Sequence, residues 1–286
     1  MKIGVSSYSY SKIFGKDGFD IYKLVKTVKE QGFDGIEFAG VPNGEEDIWA
    51  FCKLVKKLCA DEGLEIINCC VGSDFLNGSD GDIGKEIESV KHQVDIAEAI
   101  GSPQIRHDAT YGVKKDAPPP RGFDDLVERI AHGYREVTLY AEKKNIQTSI
   151  ENHGLFVQDS LRVEKVINTV GHKNFGALID IGNFLCADED PAFAVGILAP
   201  YAKHVHAKDF HIKSGMYPNP GDGWFKSRGG NYLRGSIVGH GSAPVDQCIN
   251  ILKASGYDGY LSLEFEGLED PLTGTSLGAK YLQKFV

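Results

Sequence analysis

Three carboxylates and an imidazole, Glu151, Asp180, Glu264 and His206, each stand at the C-terminal end of a short apolar run. The runs cover residues 146–150, 177–179, 204–205 and 260–263, and the four residues behind them are 29, 26 and 58 positions apart. Those intervals are close to one, one and two turns of a strand–helix repeat. Oxygen donors with one nitrogen make a pocket for a single divalent cation. Ligand hardness does not choose among Mn²⁺, Mg²⁺, Co²⁺ and Zn²⁺; we expect Mn²⁺, with the others compatible. Taken singly, each residue also has a plain structural reading: Asp180 could cap the turn that begins before Asn183, and His206 could be a hydrogen-bonded, half-buried histidine. Four such residues together at strand ends favour the cation.

Other groups stand close by in sequence. His153 lies two residues past Glu151, His107 and Asp108 follow the fourth apolar run, Glu37 ends the second, and Lys208 and Asp209 follow His206. Strand side chains alternate, so Ser149 and Glu151 share a face, as do His206 and Lys208, while Asp209 turns away. Glu37 and His107 are expected in a shell around the site. His240, in Gly239-His240-Gly241, and Arg234 would reach substrate if their segment folds inward.

The elements that must position these residues alternate along the whole chain. Strand-like runs occur at 2–6, 35–38, 65–70, 104–107, 147–151, 176–180, 203–206 and 259–264. Helical periods occupy 21–31, 47–62, 83–100, 123–144, 160–170, 192–198, 245–255 and 277–285. In the first of these, Ile21, Leu24, Val25 and Val28 make one apolar face. Gly32, Gly63, Gly101, Gly171 and Gly256 stand where helices stop. No G-x-G-x-x-G loop follows an early strand, so eight strand–helix units predict a (β/α)₈ barrel, an α/β fold, over residues 1–286 as one domain. Residues 210–242, rich in Gly, Pro and aromatics, read as a long loop after the seventh strand and a lid over the site.

A net charge of −9 argues against a nucleic-acid partner and against anionic membranes. The start of the chain has no signal-peptide or membrane-span pattern, and six cysteines without C-x-x-C spacing read as thiols, so a cytoplasmic location is expected.

The segments Ser149-Ile150-Glu151-Asn152, Leu178-Ile179-Asp180-Ile181-Gly182-Asn183, His204-Val205-His206-Ala207-Lys208-Asp209 and Leu263-Glu264, with Gly239-His240-Gly241, resemble the xylose-isomerase-like barrel superfamily of sugar phosphate isomerases and epimerases. The resemblance runs in order along nearly the whole chain. It implies one metal on Glu151, Asp180, His206 and Glu264, bridging adjacent oxygens of a ketose or polyol, with Glu151 and Glu264 also serving as acid and base on opposite faces. A cation at a carbonyl oxygen stabilises the enediolate left when the neighbouring C–H is deprotonated, and a carboxylate on each face lets the proton return to the other side. Lys208 would hold a substrate hydroxyl or the developing oxyanion.

This chain has Asn152-His153 and Asn183 where ketose 3-epimerases of the superfamily carry a proline-containing segment and a histidine. Asn183 joins the groups expected to touch substrate. The leading expectation is a metal-dependent isomerase or epimerase for a sugar, keto-sugar or cyclitol. The alternative is a lyase or dehydratase acting on a keto-inositol or 3-keto-glycoside, C-glycosides included, with His153 or His107 protonating the leaving group. A sugar-binding protein without catalysis and the nuclease branch of the superfamily rank lower; Asn183 replaces a zinc histidine of the latter. Family habit suggests a homodimer or tetramer.

Overall fold

Among the described residues, aspartate starts six of the eight α-helices. Asp20, Asp47, Asp82, Asp159, Asp190 and Asp270 each accept a backbone N–H of the first turn, satisfying donors that a helix leaves unpaired. The glycines singled out from sequence all adopt positive φ at or just past a helix end. These signals cut the chain into the units seen in a computed structural model, which describes residues 1–40, 47–117, 119 and 121–286. The strands are β1 (Lys2–Ser6), β2 (Gly35–Ala39), β3 (Glu65–Val71), β4 (Gln104–His107), β5 (Gln147–Glu151), β6 (Phe175–Asp180), β7 (Ala202–Ala207), β8 (Asp209–Lys213), β9 (Phe225–Lys226), β10 (Tyr232–Ser236) and β11 (Tyr260–Leu263). The helices are α1 (Ile21–Glu30), α2 (Ile48–Asp61), α3 (Ile83–Ile100), α4 (Phe123–Glu142), α5 (Ser160–Val170), α6 (Pro191–Leu198), α7 (Val245–Ala254) and α8 (Pro271–Leu282).

Eight parallel strands close in the order β1-β11-β7-β6-β5-β4-β3-β2, the predicted α/β barrel. The seam between first and last strands pairs Ile3 with Leu261 and Val5 with Leu263. The apolar core lies outside this ring, between strands and helices, where Val5, Ile36, Ile105, Ile150, Ile179 and Val205 are buried to 1% exposure or less. Each such side chain contributes about 2 kcal/mol of burial. The interior of the ring is largely polar instead: Ser6, Asn68, Gln104, Ser149, His204 and Ser262 are all buried there, beside the apolar Leu178 and Ile67. No helix among the described residues is long and apolar enough to cross a membrane. All six cysteines are buried free thiols.

Two sequence expectations shift. α8 begins at Pro271, six residues before the expected start, and 283–285 continue as a 3₁₀ turn. Gly274 and Gly278 hid the helix; a Cβ there would fall within 2.5 and 2.2 Å of the Phe265 and Leu263 side chains, so both are places where the helix presses against its strand. The second shift concerns 210–242. Part of it forms a three-stranded antiparallel sheet, β8-β10-β9, and residues walling the cavity at the barrel mouth are not drawn from it. The segment is anchored by Asp209, whose buried carboxylate accepts the backbone N–H groups of Phe210, Gly239, Gly241 and Ala243 at 2.7–3.1 Å. The Gly-His-Gly motif therefore wraps a carboxylate, and His240 itself is exposed.

Asp209→Ala would leave those four N–H groups without their acceptor. We expect a loss of about 3 kcal/mol and a Tm lower by about 6–10 °C, read by thermal unfolding of the purified protein.

Candidate active site

Laterally paired residues of a parallel ladder share a face, so register decides which side chains enter the barrel. Asp180 pairs with His206 and His206 with Ser262, two residues before Glu264; Arg106 pairs with Ser149, two residues before Glu151. All four proposed donors thus converge at the C-terminal mouth, their ligand atoms within 4.8 Å of one another. His206 Nδ1 lies 3.7 Å from Glu151 Oε1, 3.6 Å from Asp180 Oδ2 and 3.5 Å from Glu264 Oε2. These separations are too long for hydrogen bonds and suit donors around a cation held by bonds of about 2.0–2.6 Å.

Local structure prepares each donor. Asn152 pairs with the next strand through its amide: Oδ1 accepts Asp180 N at 2.8 Å and Nδ2 donates to Asp180 O at 2.9 Å. Asp180 both caps and faces the site, because Oδ1 accepts the Asn183 N–H at 2.9 Å while Oδ2 points inward. Gly182 makes room for β7's end; a Cβ there would lie 3.0 Å from the Lys208 carbonyl oxygen. Lys208 Nζ consequently sits 2.7 Å from Glu264 Oε2 and 3.1 Å from Asp180 Oδ2. Glu151 is held twice, by Arg106 Nη2 at 2.5 Å on Oε2 and by Asn183 Nδ2 at 2.9 Å on Oε1.

The charges favour a divalent ion. Glu37, Glu151, Asp180 and Glu264 are buried carboxylates, faced by two buried cations, Arg106 and Lys208; Asp108 has His153 as a further partner at 2.9 Å. Among the described residues, His206 Nδ1 is buried without a hydrogen bond, and Asp180 Oδ2, 3.6 Å from it, has only the Lys208 ammonium at 3.1 Å. Under-satisfied buried polar atoms are costly, and a cation would satisfy the two together. The residues fit such an ion. Burial opposes the charge of Glu264, but Lys208 and His206 outweigh it and hold the carboxyl at about 2. Glu151 is likewise depressed against burial, chiefly by Arg106. Burial also opposes charge on His206, yet Glu37 and Glu264 raise its pKa well above the ordinary value.

A cavity of about 480 Å³ opens over these groups, walled by Tyr8, Arg106, Tyr111, His153, Lys208 and Glu266 among others. Several residues expected at substrate lie elsewhere. His107 is fully buried on the outer side of β4, stacked on Tyr134 at 4.5 Å, and burial lowers its imidazole to about 3, so it stays neutral and away from the cavity. Glu37 is also fully buried and serves His206 rather than the cavity, with His206 Nε2 donating to its oxygens at 2.8 and 3.0 Å. Asn183 is buried against Glu151. Arg234 lies over the Trp224 ring at 5.4 Å, in the antiparallel sheet. Arg106 is the residue that sequence reasoning passed over. It stands next to His107 on β4, and strand parity against Ser149 identifies it as the inward one of the two.

Residues 25–285 match the family model described as Xylose isomerase-like TIM barrel, and the chain belongs to that family. An inosose dehydratase of Bacillus anthracis (strain CDC 684 / NRRL 3495) is 24% identical over 178 residues, 55% of this chain and 54% of that protein. The chain thus spans about half the length of the curated relatives it matches. Two solved structures share the fold: the probable 3-DHS dehydratase AsbF from Bacillus anthracis (TM-score 0.76, 20% identity, 99% of each chain) and the 3-keto-D-glucoside 4-epimerase YcjR from E. coli (TM-score 0.73, 18% identity, 99% of each chain).

Metal-stripped protein titrated calorimetrically with Mn²⁺ is expected to take up one equivalent and to lose that uptake in Asp180→Asn. Because the donor Nδ1 of His206 must lose a proton to bind, the affinity should rise with pH. Pairing with Glu37 and Glu264 raises the His206 pKa, so this competition extends above the usual histidine range. Uptake independent of pH would contradict the role of His206.

Proposed function

We propose that this chain, working as one barrel domain, removes a proton beside the carbonyl of a keto-sugar or keto-cyclitol and then expels a leaving group from the next carbon. The observation that carries this reading is the asymmetry of the two carboxylates. Both oxygens of Glu151 are engaged, by the Arg106 guanidinium and the Asn183 amide, which stabilises the anion and makes it a weak proton acceptor. Glu264 meets the Lys208 ammonium through Oε2 alone, leaving it the better placed base. A divalent cation held by Glu151, Asp180, His206 and Glu264 would supply Lewis-acid polarisation of the substrate carbonyl.

The remaining steps belong to side chains. Glu264 takes the α-proton and leaves the C–H electron pair as an enolate; in a second step that pair forms the C=C bond as the bond from the β-carbon to the leaving oxygen breaks and that oxygen takes a proton. Lys208 and Arg106 offset the negative charge that develops in the cavity. His153 Nδ1 lies 2.9 Å from Asp108 Oδ1 in the cavity wall. Burial works against its charge, but Asp108 and Glu151 together raise its pKa. That makes His153 a proton donor to the departing oxygen near neutral pH. The dehydratase names of a curated relative and of one structural neighbour support the same direction.

Epimerisation is the second reading. It is favoured by Glu151 and Glu264 both facing His206 Nδ1, at 3.7 and 3.5 Å, as a two-carboxylate exchange needs, and by the epimerase among the neighbours. The readings share the first proton transfer and differ in whether a leaving group departs.

Proton NMR in D₂O on keto-inositols and 3-keto-glycosides separates them. We expect deuterium at the carbon beside the carbonyl in recovered substrate, and loss of the β-substituent in the product; inversion without loss favours the second reading, and the absence of both exchange and product overturns both. Glu264→Gln should abolish exchange while leaving Tm nearly unchanged. His153→Asn should retain exchange and slow elimination by about 10²–10⁴-fold; equal slowing of both would remove His153 from the leaving-group step.

A further inference from the structure

We infer that Glu37 is a positioning residue, which fixes the ring and tautomer of His206 from beneath the cavity so that Nδ1, not Nε2, is presented to the cation. This rests on the metal reading above and goes beyond it, since Glu37 is not one of the four converging donors and does not line the cavity.

The geometry is specific. Glu37 lies on β2 and His206 on β7, two strands removed around the ring through β1 and β11. Its carboxylate crosses the barrel interior below the mouth, entirely shielded from solvent. The His206 Nε2–H points between both oxygens, 2.8 Å from Oε1 and 3.0 Å from Oε2. An ionised carboxylate only accepts, so Nε2 must carry the proton and Nδ1 is the atom left to bind. Asn68 Nδ2 donates to Oε2 at 2.8 Å, and His204 Nε2 stands 3.0 Å from the same oxygen. Asn68 follows from register, being the lateral partner of Glu37 on β3. The carboxylate therefore has its own fixed partners and cannot swing toward the cavity.

Three nitrogens, His206 Nε2, Asn68 Nδ2 and His204 Nε2, face the two Glu37 oxygens within 3.0 Å, the surroundings of an ionised carboxylate. A ligating histidine whose second nitrogen donates to a carboxylate is both oriented and made a stronger donor. The alternative cluster of Glu37, Cys70 and His206 also brings its donor atoms within 4.8 Å. It offers three donors against four, and both Glu37 oxygens are already taken by hydrogen bonds from His206 Nε2 and Asn68 Nδ2.

The test compares Glu37→Gln with the parent by calorimetric titration with Mn²⁺ and by the visible spectrum of the Co²⁺-loaded forms. We expect the variant to bind about 10–100-fold more weakly with an altered Co²⁺ spectrum, while its metal-free Tm stays within a few degrees of the parent's. Should the variant not fold, histidine-selective ¹⁵N NMR of the Zn²⁺-loaded parent answers instead, the expected state being Nδ1-metallated and Nε2-protonated for His206. Equal affinity with an unchanged spectrum, or a metallated Nε2, would overturn the inference while leaving the cation site standing. A parent that binds no divalent ion would defeat both.

Discussion

An excess of buried negative charge governs this barrel. Four carboxylates, Glu37, Glu151, Asp180 and Glu264, lie within one interior and meet two buried permanent cations, Arg106 and Lys208, and the His206 imidazole, whose charge they favour. Each ion removed from water costs several kcal/mol unless its partners are well placed. Much of the local structure is the means of placing them. Arg106 and Asn183 clamp Glu151, Lys208 reaches Glu264 past a glycine, and His206 spans from Glu37 to the donor set. Among the atoms those contacts leave under-satisfied are His206 Nδ1 and Asp180 Oδ2, 3.6 Å apart. A doubly charged cation between the donors would meet that demand.

The division of labour between the two sides of the strands makes this affordable. Outward positions carry Val, Ile and Leu that pack against eight helices, so the fold is held together outside the ring. Inward positions then carry little of the packing and can hold Ser, Asn, Gln, His and acids beside Leu178 and Ile67. Strand alternation keeps the two roles apart at every step. A one-residue slip in any register would drive a carboxylate into the apolar layer.

This also explains what the sequence made legible. Eight strand–helix units showed through because apolar runs, helical periods and terminal glycines all marked the same boundaries, at Gly32, Gly63 and Gly256 for example. Glu151, Asp180, His206 and Glu264 were visible as charged residues ending apolar runs, where burial makes such residues rare. Arg106 was hidden by its neighbour: His107 is the more conspicuous catalytic type, yet parity turns it outward onto Tyr134. Glu37 was seen, but whether it met substrate or His206 depends on a contact across the ring, 169 residues apart. The sheet within 210–242 escaped because its strands are short and its anchor, Asp209, acts through backbone N–H groups that leave no side-chain pattern.

The most direct measurement is anomalous diffraction from a crystal soaked with Mn²⁺. The account requires one strong peak bonded, at about 2.0–2.6 Å, to Glu151, Asp180, Glu264 and Nδ1 of His206, with Glu37 still hydrogen-bonded to Nε2. A peak seated elsewhere, or a saturating soak that leaves those four donors bare, would contradict it.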